Sequence, residues 1–176
     1  MKRIIVFFFF FVQLNSSFCQ NSVSLLVKEQ NSEDSVKLIN SPTLEFKAQD
    51  SVLNQAFSYQ GVPYKIGGMS QQGMDCSGLI CKSFGALNLK LPHSSGELSK
   101  LGNYVEADSL QVGDLIFFKG RSMNTPSVGH VAMVSKLSNG FIYIIHATNS
   151  KGVIEEILQK NSYFMDRWLF NKRIIE

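Results

Sequence analysis

The hydrophobic positions of this chain fall into distinct regimes. An unbroken apolar run, Ile4 to Val12, comes first, and a polar, weakly patterned stretch over 20–46, centred on "KEQNSEDSVK", follows it. From about Gln49 the apolar positions recur at regular intervals. In "QDSVLNQAFSYQG", Val52, Leu53, Ala56 and Phe57 keep helical spacing and Gly61 supplies a stop, so a helix is predicted there. "GVPYKIGG" is a loop punctuated by Pro and Gly. A second helix is predicted over 76–87, with Leu79, Ile80, Ser83, Phe84 and Leu87 on one stripe and Asp75 at its N-cap. After the turn-rich "LPHSSGELSK" the period changes. "VGDLIFFK", "SVGHVAMVSKL", "GFIYIIHATN", "GVIEEIL" and "RWLFNKRII" are short, rich in β-branched and aromatic residues, and separated by Gly, Asn and Ser, which is the pattern of strands. Helices first and hairpin-connected strands second predict an α+β fold, with the helix that begins at Cys76 packed on a five- to six-stranded antiparallel sheet.

The opening run changes the domain picture. Lys2 and Arg3 precede nine apolar residues, too few to span a bilayer, and Ser17 and Cys19 are small residues placed for cleavage before Gln20. Residues 1–19 therefore read as a secretory signal peptide, 20–46 as a tether or loosely ordered arm, and 47–176 as the folded domain. A membrane anchor is the alternative for the first segment. Cys19 as the lipid-bearing first residue of a lipoprotein is another, although Phe18 before it is larger than such a site wants. The expected location is the periplasm, the cell envelope or the medium.

Charge excludes one class of partner. The chain has 17 basic and 14 acidic residues. Loss of Lys2 and Arg3 with the leader brings the balance to +1, so nothing favours a nucleic acid. Of the three cysteines, the processed chain keeps Cys76 and Cys81. On one helix their Cα atoms lie roughly 8–9 Å apart on different faces, too far for a disulfide. A free thiol at a helix start in an oxidising compartment points to chemistry.

A thiol attacks as thiolate, and a helix N-terminus or a neighbouring imidazolium lowers its pKa. Three histidines are available. His93 reads as an exposed loop or helix-start residue. His130 and His146 sit on predicted strands among apolar neighbours, where an unpartnered ring is costly. Either alone reads as a core histidine satisfied by a backbone carbonyl. Together they flank "SKLSNGF", a hairpin loop, and their relative placement depends on its length. A loop over 136–140 sets the rings directly opposite each other. A loop over 138–140 sets His146 opposite Ala132, on the same face, and a two-residue Asn139-Gly140 turn puts the rings on opposite faces. The pair is also half a metal site, but no third and fourth ligand stands at useful spacing. Nucleophile Cys76, base His130 and orienting His146 is the economical reading.

"GVPYKIGG", "MDCSGLI", "LQVGDLIFF", "GHVAMV" and "IIHA", in this order, resemble the NlpC-type cell-wall cysteine peptidases, a branch of the papain-like fold, over about residues 49–172. The resemblance implies Cys76 as nucleophile, His130 as base and His146 as the third polar residue. It also implies that the Tyr64 hydroxyl and the Cys76 backbone N–H stabilise the oxyanion. Asp75 and Ser77 would flank the pocket for the substrate's free amino end. The plainer readings are a core tyrosine for Tyr64 and a helix cap for Asp75. Members often carry arginine where this chain has His93, which leaves that subsite open. The implied activity is hydrolysis of peptidoglycan stem peptides between γ-D-glutamate and the following diamino acid, by a monomer without cofactor or metal. A CHAP-type amidase cutting between sugar and peptide, a non-catalytic envelope-binding module, and an effector acting on a competitor's wall are the rival readings.

Overall fold

The structure, a computed structural model, describes residues 42–125 and 127–175. The expected leader, its cleavage before Gln20 and most of the expected arm lie outside them. Helix α1 runs Pro42–Phe57 and so begins ahead of Gln49, taking the end of the expected arm into the folded domain. Proline suits a first helical turn because its missing N–H is one the helix does not use. Val52, Leu53 and Ala56 are buried, as their spacing predicts.

After α1 the chain makes a small hairpin, β1 (Met69–Ser70) with β2 (Gly73–Met74), and enters α2 (Cys76–Phe84). Every residue of α2 except Lys82 is buried. Its last expected turn tightens to a 3-10 turn over Gly85–Leu87, closed by Asn88 in the left-handed conformation at φ 59°. The segment read only as turns holds a short helix, α3 (Ser95–Leu98). Its signal is local: the Ser94 hydroxyl accepts from the Glu97 backbone N–H, the first half of an S-x-x-E cap.

The strands follow as β3 (Asn103–Val105), β4 (Leu115–Lys119), β5 (Val128–Ser138), β6 (Phe141–Thr148), β7 (Gly152–Ile157) and β8 (Trp168–Arg173), with a one-turn helix α4 (Ser162–Met165) before β8. They form one sheet in the order β3-β8-β4-β5-β6-β7, every neighbouring pair antiparallel. The expected α+β class and sheet are observed. β3 was not among the segments read as strands, because three largely exposed residues carry no alternation. Central β4 is buried on both faces. Its Leu115 and Phe117, with Val131, Met133 and Ile145, pack under α1 and α2. Its Ile116 and Phe118, with Ala132, Val134 and Ile144, pack against Leu158 and Phe164 on the far side.

The β5–β6 hairpin reaches the expected face by an unexpected route. Ser138 pairs with Phe141, so the turn is the two-residue Asn139-Gly140, both at positive φ (52° and 77°). That turn alone would set the two histidines on opposite faces. The register shifts between Val134 and Lys136, where Ser135 is the extra residue of a β-bulge. Beyond it Met133 pairs with Ile145, which sets His146 opposite Ala132 and restores both rings to one face.

Candidate active site

Cys76 opens α2 because Asp75 ends the preceding extended segment and caps the helix. Asp75 has φ −102° and ψ 176°. Its Oδ1 accepts from the Gly78 N–H at 2.7 Å and the Ser77 hydroxyl at 3.1 Å, and its Oδ2 accepts from the Gly67 N–H at 2.8 Å. His93 Nε2 stands 2.9 Å from Oδ1, so this loop histidine docks its ring on the cap. Gly78 is required by close approach: a Cβ there would collide with the Gly68 carbonyl. "DCSG" thus locks the first turn of α2 against the loop that carries Tyr64.

Cys76 is buried, with 9% of the residue exposed. Burial pushes its pKa up, as does the Asp75 charge, while the backbone N–H groups of Val131, Ser77 and Cys76 pull it down; the net direction is upward. The helix-start donors expected from the sequence do act on the sulfur, but the loss of water outweighs them. Cys76 at rest is therefore a thiol. Cys81, the second free thiol, is turned away, its Sγ 3.4 Å from the carbonyls of Leu91 and Pro92.

His130 Nε2 lies 3.0 Å from His146 Nδ1. The two rings pack against Phe164, and His130 also against Phe118. Burial, with a smaller contribution from His146, lowers the His130 pKa to about 3, so the ring is neutral at rest. His146 is fully buried, and its Nε2 stands 3.0 Å from Glu156 Oε1. That approach is short but off the N–H axis, which leaves Nε2 without an aligned partner. We read it as a charge-assisted contact rather than a straight hydrogen bond. Glu156 also accepts from Asn161 Nδ2 at 2.9 Å. Its pKa is lowered, first by the contact with His146.

The carboxylate sets the direction of the chain of protons. With the His146 proton on Nε2 facing Glu156, Nδ1 is an acceptor and His130 must donate from its own Nε2. His130 Nδ1 is then the unprotonated nitrogen. Glu156 did not stand out in "GVIEEIL". It pairs with Ile144, while His146 pairs with Ile154, so it sits diagonally across from the ring. Only the β6–β7 register shows this.

Tyr64, Cys76, His130 and Glu156 line one cavity of about 630 Å³ at the end of the sheet where β5 begins and β6 ends. Tyr64 is partly buried beside Met74, and its pKa is raised by burial and then by the charges of Cys76 and Asp75. Asp75 and Ser77 are buried next to the thiol and are not in the cavity wall. Among the described residues, no group of three or more His, Cys, Asp or Glu is arranged to hold a metal ion.

Residues 61–173 match the NlpC/P60 family. A probable endopeptidase of Haemophilus influenzae is 39% identical over 102 residues, which cover 57% of this chain and 59% of that protein. The gamma-DL-glutamyl hydrolase of Bacillus subtilis is 33% identical over 128 residues, 72% of this chain and 30% of the hydrolase. The crystal structure of an NlpC/P60 family protein from Bacillus cereus superimposes with a TM-score of 0.64 at 29% identity, over 73% of this chain and 40% of that one. The chain thus spans less than two thirds of each of these proteins, from 30% to 59%. A family match across most of the folded domain, on a fold shared with solved members, places this chain in the NlpC/P60 family.

Proposed function

We propose that this chain is a cysteine endopeptidase that hydrolyses peptidoglycan stem peptides at the bond between γ-D-glutamate and the diamino acid. The observation that carries the reading is that His130 lines the same cavity as Cys76 and is backed, at 3.0 Å, by the buried His146. The γ-glutamyl hydrolase named among the relatives supports the choice of bond.

In this reading His130 Nδ1 takes the thiol proton as Cys76 Sγ attacks the γ-carbonyl. The oxyanion is met by the Cys76 backbone N–H and the Tyr64 hydroxyl. His130, now an imidazolium, gives the proton to the departing amine, the C–N bond breaks, and a thioester remains on Cys76. Water, deprotonated by His130, attacks the thioester; the acid leaves and the proton returns to the thiolate. His146, backed by Glu156, holds the ring through both halves. Since thiol and imidazole are both neutral at rest, the attack is general-base assisted rather than launched from a preformed ion pair.

Asp75 and Ser77, expected at the substrate's amino end, lie behind the cavity wall rather than in it, so any part they play there would be indirect. The Asp75 carboxylate, saturated by four donors counting His93, would act mainly as a fixed negative charge. Export behind residues 1–19 brings the enzyme to its substrate as a monomer. No helix among the described residues is long and apolar enough to cross a membrane.

The test is digestion of purified peptidoglycan, with the fragments weighed by mass spectrometry. The reading expects products that begin at the free amine of the diamino acid. Release of whole stem peptides from the sugar would assign the CHAP-type amidase instead, and an undigested wall would leave a binding module.

A further inference from the structure

The cavity is chemically lopsided. Tyr64 and Ile66 form the wall next to Cys76, whereas Lys119, Arg121 and Lys151 stand with the strand ends that carry the histidines. Phe118 pairs with His130 and Lys119 with Val128, which puts the end of β4 beside the base. Gly120 and Gly129 let these strands nearly touch, since a Cβ on Gly129 would strike Gly120 Cα. Lys151 sits in the turn after β6, its backbone N–H held by the Thr148 hydroxyl at 3.2 Å. Three cations thus share the lining with one carboxylate, Glu156, which contacts His146 and Asn161 and feels the charge of Lys151. The Lys119 ammonium donates to the Met123 carbonyl at 3.4 Å, and together the three leave the lining with an excess of positive charge.

The direction of the reaction says what those cations meet. His130 must protonate the departing nitrogen, so the departing fragment lies on the His130 side of Cys76. We infer that Lys119, Arg121 and Lys151 form a subsite for a carboxylate on the departing fragment, so that a diaminopimelyl residue with its free carboxylates is preferred over a neutralised one. This rests on the stem-peptide reading above and adds which chemical group the leaving side must carry. Arg121 and Lys151 are exposed and Lys119 is half-buried, so each contact is solvent-screened and modest, and the three together are expected to act through affinity.

The experiment uses the full chain carrying Cys76→Ala, which binds without turnover. Calorimetry compares L-Ala-γ-D-Glu-diaminopimelate with the same tripeptide amidated at both diaminopimelyl carboxylates. The two mono-amides tell the α-carboxylate from the side-chain one. The expected result is about tenfold tighter binding of the diacid, from three partly screened charge contacts, weakening as salt is raised. Adding Lys119→Gln, Arg121→Gln and Lys151→Gln should erase that preference and leave the diamide's affinity in place. The double Arg121→Gln/Lys151→Gln change, at exposed positions, should erase part of it. Equal binding of diacid and diamide overturns the subsite, as does equal weakening of both in the charge variants. Hydrolysis by the unmutated chain is read separately. Cleavage without selective binding removes the subsite and keeps the peptidase. Selective binding without cleavage keeps the subsite and removes the proposed bond.

Discussion

At the scale of the residue, the proposed mechanism starts from the neutral Cys76 and His130 that burial imposes. Iodoacetamide alkylation of Cys76 is therefore expected to keep accelerating with pH beyond about 8.5, the range of an ordinary thiol, because its pKa is pushed up rather than down. A rate that levels off near neutrality would mean an ion pair. If His130 is the base, as proposed, the residues behind it should show graded losses. His146→Ala is expected to lower kcat by ~10–100-fold, with partial recovery in His146→Gln. Glu156→Ala should lower kcat by about tenfold with KM little changed, and Glu156→Gln, which keeps an acceptor, should lose less. Cys76, His130 and His146 could be picked out of the sequence because thiols and strand histidines are scarce. Glu156 could not, since acidic residues are common and its role exists only through the diagonal neighbour across β6 and β7.

At the scale of the element, two devices make the site, and one of them could be read in advance. "DCSG" announces a capped helix, and the structure adds that a single carboxylate ties the cap to Gly67 and to His93. Asp75→Ala should cost about 1–2 kcal/mol of stability through the lost cap, and more if the Gly67 N–H stays buried without a partner. Urea unfolding measures this, and Asp75→Asn should recover much of the loss. The second device, the Ser135 bulge, had no sequence signal. The expectation that the two rings share a face required an odd-length loop, and the loop is the two-residue Asn139-Gly140. One extra residue inside the strand does what an extra residue in the loop would have done. Ser135 fits that place because its hydroxyl, released from strict alternation, donates to Glu155 at 2.6 Å.

At the scale of the whole molecule, the last strand enters between β3 and β4 and is pinned by Arg173, whose Nε and Nη2 both donate to the buried Asp114 at 2.8 Å. The site also gives stability a pH dependence. His130 has a pKa of about 3 when folded and about 6.5 when unfolded, so between these values the unfolded chain binds the proton that the native ring refuses. That contribution is complete above about pH 6.5 and is lost as pH falls toward 3. The melting temperature should drop across this window, and less so in His130→Gln. The α+β class followed from the order of periodicities. The insertion of β8 did not, because strand order depends on long-range pairing that no local pattern encodes.

The central claim is that the thiol at the start of α2, and not the one a turn further on, does the chemistry. The direct measurement is the rate of stem-peptide hydrolysis by the full chain, by Cys76→Ala and by Cys81→Ala, each confirmed as folded by circular dichroism. The account predicts that Cys76→Ala falls to the uncatalysed background while Cys81→Ala keeps the parent rate. Hydrolysis surviving in Cys76→Ala, or an equal loss in both variants, would contradict it.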